Sequence, residues 1–152
     1  MPLTTASEVA DFFLNFAHEH GDLVTNLKLQ KLVYYAQAWH LALHGTPLFG
    51  DRIQGWVHGP VVSSLYGKFK KHRWDAIPGN QARPTLSQAV QRHLTDVYTV
   101  FNPYTAYQLE CMTHQETPWQ NSRIGLAPDE NGDREISHAD MKAFYGKLAR
   151  SK

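Results

Sequence analysis

Several short segments carry side chains whose types and spacing could do chemistry. His40 and His44 stand four apart, which on a helix brings two imidazoles within reach of one metal ion. A His-Glu-x-x-His protease would carry a glutamate after the first histidine; Leu41 stands there, and spacing supplies no third ligand. The structural alternative is a core histidine bonded to a backbone carbonyl, followed by a helix-end histidine that the C-terminal dipole favours. His114-Gln115-Glu116-Thr117-Pro118-Trp119 sets an imidazole, a carboxylate and an indole close together, the makings of acid–base catalysis if a substrate can be held between them. Neither a nucleophile nor a metal set accompanies them, and Glu116 precedes a helix start where its charge is favourable regardless. Cys111, three residues before His114, could be activated by it, but between Leu109 and Met112 it reads as a small apolar filler. His58-Gly59-Pro60 reads as the opening of a helix, where free N–H groups could hold an anion. The favoured reading is a tight turn with no ligand, since Gly-Pro is common turn chemistry.

The one basic patch is Lys68-Phe69-Lys70-Lys71-His72-Arg73-Trp74, with aromatics interleaved. It could touch phosphates or an acidic protein surface, while cations at a helix C-terminus are favourable with no partner at all. No glycine-rich phosphate loop is present.

These groups must be positioned by helices. Val9, Phe12, Phe13 and Phe16 repeat at i, i+3, i+4, i+7 and predict a helix from about Thr5 to Glu19. Asn26 or Thr25 caps a second, which Gly45-Thr46-Pro47 ends. From Leu32 to His44 nothing is formally charged, and both sides of that helix are apolar: Leu29, Leu32, Val33, Ala36 and Leu43 on one, Tyr34, Ala38, Leu41 and Ala42 on the other. A helix of that kind is one that other elements surround. Residues 48–57 read as very short strands or an extended arm. Pro60 suits the first turn of a third helix carrying Val62, Leu65, Tyr66 and Phe69. Val90 to Phe101 predicts a fourth, and Thr105-x-x-Gln108 a capping box opening a fifth. Thr117 caps a short helix at Pro118, and Ser137 caps a last one with Met141, Phe144, Tyr145 and Leu148 inward. The expectation is mainly α: one compact helical domain, residues 1–152, of about six helices around a central buried helix, with a minor β element near residues 48–57.

The composition narrows the function classes. Charged residues are only 19% and apolar residues 42% of 152, which argues against disorder. A net charge of +1 supplies no global field for nucleic acid or anionic membrane. A single cysteine cannot form an internal disulfide and fits a reducing compartment. No signal peptide or run of membrane-spanning length is seen, so a cytoplasmic, membrane-free protein is expected. The second and third helices lie about fourteen residues apart, too far for the turn of a helix-turn-helix.

Three stretches together resemble one family. LKLQKLVYYAQAWHLAL with G-T-P-L-F, then GWVHGPVV, then TAYQLECMTHQETPWQNSR and the closing ISHADMKAFY, are similar in order and spacing to the SocA-like or Panacea antitoxin domain, catalogued among phage-associated GepA-type proteins. The resemblance runs from about Ser7 to Tyr145. It implies a small helical cytoplasmic antitoxin, encoded beside a protein toxin that it neutralises by direct binding, with no enzyme activity and no cofactor or metal. Delivery of the toxin to a protease and a homodimer remain open; nucleic-acid binding is not expected, since no DNA-binding segment is appended. Within the motifs, Gln30, Lys31, Tyr34, Trp39, His58, Gly59, Pro60, His114, Glu116 and Pro118 read as structural. Aromatics at loops or element ends, Trp56, Tyr66, Trp74 and Trp119, with Lys70, Lys71 and Arg73, are the candidates for partner contact. Two other classes stay in view: a small metal-dependent or histidine-based hydrolase, and a nucleic-acid-binding regulator. Zinc content would discriminate the first, and steep salt dependence of DNA binding the second.

Overall fold

Side-chain caps fix most helix starts in the computed structural model, which describes residues 2–79 and 81–151. Thr5 accepts from the Glu8 N–H at the start of α1 (Ala6–Glu19), and Thr25, not Asn26, accepts from Lys28 at the start of α2 (Asn26–His44). Ser87 does the same for α4 (Gln88–Phe101), and Ser137 for α7 (His138–Arg150). α5 (Ala106–His114) opens with a complete capping box between Thr105 and Gln108. Each such cap stabilises its helix by about 1 kcal/mol. Gly45 closes α2 in the left-handed region at φ 77°, which lets its N–H reach the Leu41 carbonyl.

α2 is the central post. Leu29, Leu32, Val33, Tyr34, Ala36 and Ala38 are fully buried, and α7 lies along it over most of its length, with α4, α5 and α1 on other sides. One continuous apolar core results, reaching from Val9 and Phe13 of α1 to Met141 and Tyr145 of α7. Among the predicted stripe residues Tyr66 is half-buried outside it, and two more are exposed, Leu43 at 57% and Leu148 at 37%. Both sit near the outer end of their helix, where neighbouring elements have stopped covering that face.

The β element is a two-stranded antiparallel hairpin, β1 (Gln54–Trp56) and β2 (Gly59–Val61), in the register Gln54↔Val61, Gly55↔Pro60, Trp56↔Gly59. This corrects the expected place of Pro60: it lies in β2, and α3 (Ser63–Phe69) begins three residues later with Val62 as cap. Gly59 stands at φ 110° and opens the returning strand instead of a helix. The anion-binding reading of a helix start at His58-Gly59-Pro60 goes with it. A 3₁₀ turn (Lys70–His72) follows α3. α6 (Thr117–Ser122) is capped by Glu116, one residue earlier than expected, and Pro118 occupies its first turn.

Candidate functional site

The motif residues of α2 are polar and buried, and each reaches a neighbouring element. Gln30 accepts at Oε1 from the Val62 N–H (3.0 Å) and donates from Nε2 to Asn26 Oδ1 (2.9 Å). Lys31 is fully buried; its Nζ donates to the Pro60 carbonyl at 3.3 Å. Burial pushes its ammonium down to about 7, against the pull of the Glu110 carboxylate. Gln37 accepts from both Leu48 and Phe49 N–H and donates to the Phe49 carbonyl, tying the chain after α2 back onto it. Backbone groups that leave regular structure are thereby satisfied by side chains of the buried helix.

The second knot surrounds Glu116. The Tyr35 and Tyr145 hydroxyls both donate to its Oε1, at 2.7 and 2.8 Å. Since the single proton of Tyr145 is used there, Tyr34 donates to the Tyr145 oxygen across their 2.9 Å contact. Burial raises the Glu116 carboxyl above the usual carboxylate range, while the two phenols act against that shift. Nearby, His114 stacks on Trp119 with centroids 4.0 Å apart and planes at 14°. Trp119 Nε1 donates to the Trp56 carbonyl at 2.8 Å. Trp119 is only 9% exposed, so this candidate for partner contact is used in packing α6 against the hairpin.

The remaining histidines split between interior and surface. His40 Nδ1 sits 2.6 Å from the Thr46 carbonyl and His93 Nε2 2.8 Å from that of Ala36; burial pushes both imidazoles below the usual histidine range. His40 and His44 have ring centroids 4.7 Å apart, yet among the described residues no group of three His, Cys, Asp or Glu side chains is arranged to hold a metal ion. His58 is exposed and pairs with Glu110 at 3.1 Å. Cys111 is half-buried and hydrogen-bonded to Tyr107. Sequence reasoning did not single out Gln37, Tyr35 or Arg123, and read Tyr145 only as a core residue of the last helix. Arg123 is buried and donates to the carbonyls of Gly55 (3.1 Å) and Ala127 (3.0 Å), holding the 123–130 turn to β1. An arginine at the end of an otherwise weakly charged motif is the one signal in the sequence from which it could have been found.

Two surface features collect the other candidates. Trp56 and Tyr66, both half-buried, meet edge to face at 5.0 Å and wall a groove of about 730 Å³. Leu27, Val57 and His58 line it on one side, and Asp129 and Asp133 on the other. α3 runs from Tyr66 directly into the 3₁₀ turn, where Lys70, Lys71 and Arg73 are exposed and, among the described residues, make no ion pair. Lys68 differs: it is held by Ser7 and Asp11 of α1, so it is not part of the free patch. Arg73 stands at φ 53°, unusual for a residue with a Cβ, and next to it Trp74 is 86% exposed.

Fold and site together define a helical domain in which Glu116 and His114 are tied to neighbouring elements, and no described helix is long and apolar enough to cross a membrane. A model of the antitoxin SocA-like, Panacea domain family matches residues 29–120, well over half of the chain. The chain belongs to that family. No curated protein and no solved structure gives a significant match.

Proposed function

We propose that this protein is the antitoxin of a toxin–antitoxin pair and neutralises a cognate protein toxin, encoded by an adjacent gene, through direct non-enzymatic contact in the cytoplasm. Family membership supports the antitoxin role. The contact surface is the α3 side of the molecule, from the Trp56–Tyr66 groove to the Lys70–Trp74 apex. The observation that carries this choice is Trp74, an indole 86% exposed beside cations with no ion-pair partner among the described residues. A large apolar ring left in water is costly in a monomer and becomes an anchor once a partner covers it. Backbone strain of the kind seen at Arg73 persists where surrounding structure holds it and is concentrated at functional sites. Lys70, Lys71 and Arg73 suit an acidic toxin surface and act mainly on the encounter rate.

The test is co-expression with the neighbouring toxin and affinity measurement on purified components. Trp74→Ala should weaken the complex by about 2 kcal/mol, the loss of a central aromatic anchor, with the thermal midpoint unchanged. Charge reversal at Lys70 and Lys71 should slow association and flatten its salt dependence. Wild-type affinity in the Trp74→Ala protein would rule out the apex as the contact surface.

A further inference from the structure

A second cleft, on the other side of α2, carries a different chemistry. It lies between α2, α4, α5 and α7, encloses about 370 Å³, and has Glu116 among its lining residues. Its walls are rings: Tyr35 stacks on Phe101 at 4.0 Å with planes at 3°, and Trp39 sits against Tyr145 at 5.5 Å. Its mouth is ringed by Leu43, Val100, Tyr104 and Leu148, four of the large apolar side chains that the fold leaves exposed. Formal charge in the lining comes only from Asp96 and Glu116; His93, the remaining titratable nitrogen there, is held toward its neutral form by burial.

From this arrangement we propose that the cleft is a binding site for a primary ammonium group on an apolar stem, with Glu116 as its counter-ion. Tyr35 and Tyr145 fix the carboxyl in place by donating to one of its oxygens, but both donors are neutral. No described lysine, arginine or histidine lies within ion-pair distance of Glu116. A partly desolvated carboxylate without a cation is what a positively charged ligand compensates best, and it repels an anion. The ring faces add cation–π attraction for the ammonium, and the apolar mouth takes the stem. Because burial holds the Glu116 carboxyl above its usual range, acidification weakens uptake at a higher pH than it would for an exposed carboxylate. This inference stands apart from toxin binding, which draws on exposed cations and an exposed indole.

The experiment is an NMR titration of the purified chain with hexylammonium, hexanol and hexanoate, followed at the Trp39 indole N–H and the Met112 methyl. Hexylammonium should shift both to saturation, with hexanol at least about tenfold weaker, the worth of one charge-assisted hydrogen bond, and hexanoate weaker still. Glu116→Gln keeps a carbonyl oxygen for both tyrosines and removes the charge; it should lose about tenfold in hexylammonium affinity. Val100→Arg sets a guanidinium over the mouth without touching Glu116 and should show a comparable loss, a control should the first variant fail to fold. N-acetyl-lysine methylamide, titrated alongside, separates a free amine from a lysine side chain as the natural source. Equal binding of hexanol, undiminished binding in a folded variant, or no saturation by any probe would overturn the proposal.

Discussion

Lys31 is the residue at which the interior chemistry of this protein is most exposed to test. Its side chain is fully buried on the central helix, and its ammonium titrates near 7 instead of the ordinary 10.5. Between those values the unfolded chain holds a proton that the folded chain lacks, so stability rises with pH across that window. Below about 7 both states are protonated, and the cost of the buried charge is fully present. Above about 10 the sign reverses, because burial holds the Tyr34 and Tyr35 hydroxyls protonated beyond the point where the unfolded chain ionises. Chemical denaturation as a function of pH should therefore show maximal stability near the upper end of this window. Lys31→Met should remove the rise between neutral and alkaline pH while leaving the decline above it. A rise that survives in Lys31→Met would mean that another group carries it.

At the scale of elements, the helices were legible and the hairpin was only half so. Apolar periodicity and Ser/Thr caps are local signals, and they marked the starts of α1, α5 and α7 within a residue or so, while for α4 the periodicity begins at Val90 and does not mark the Ser87 cap. The place of Pro60 was not legible, because what holds it is remote in sequence: Lys31 and Gln30 of α2 bond the Pro60 carbonyl and the Val62 N–H. Both side chains read as structural within their motif, but the sequence names no partner for either. Leu43 and Leu148 failed in the opposite sense; periodicity predicts burial but not where the covering elements end. The Glu116 knot was visible as a motif, but its tyrosine donors came from two helices that only the fold brings together. At Gly59 this packing of the hairpin on α2 leaves no room for a side chain. A Cβ added there would stand 2.5 Å from Lys31 Cε and 3.0 Å from Thr113 Oγ1, on backbone at φ 110°. Gly59→Ala should cost about 2–3 kcal/mol, strain and overpacking together, and loosen the hairpin first. Hydrogen exchange on residues 54–61 checks it; wild-type protection in the variant would mean that the strand shifts at no cost.

At the scale of the whole molecule, the motif chemistry turns inward and the contact chemistry turns outward. Histidines and carboxylates that resemble a catalytic set are tied to backbone carbonyls, tyrosines and an indole. An exposed indole, Trp74, and the cations Lys70, Lys71 and Arg73, unpaired among the described residues, stand together at the end of α3. On the function proposed above, the protein acts by occupying its partner, and occupation is stoichiometric. The most direct measurement is growth rescue with graded expression of this protein against a fixed amount of the toxin encoded beside it, paired with light scattering on the purified mixture. Rescue should begin only as the two proteins approach equal amounts, with a complex of fixed ratio isolated at every rescuing dose. Full rescue at far lower doses, with no complex recovered, would contradict the account and show that the protein turns over.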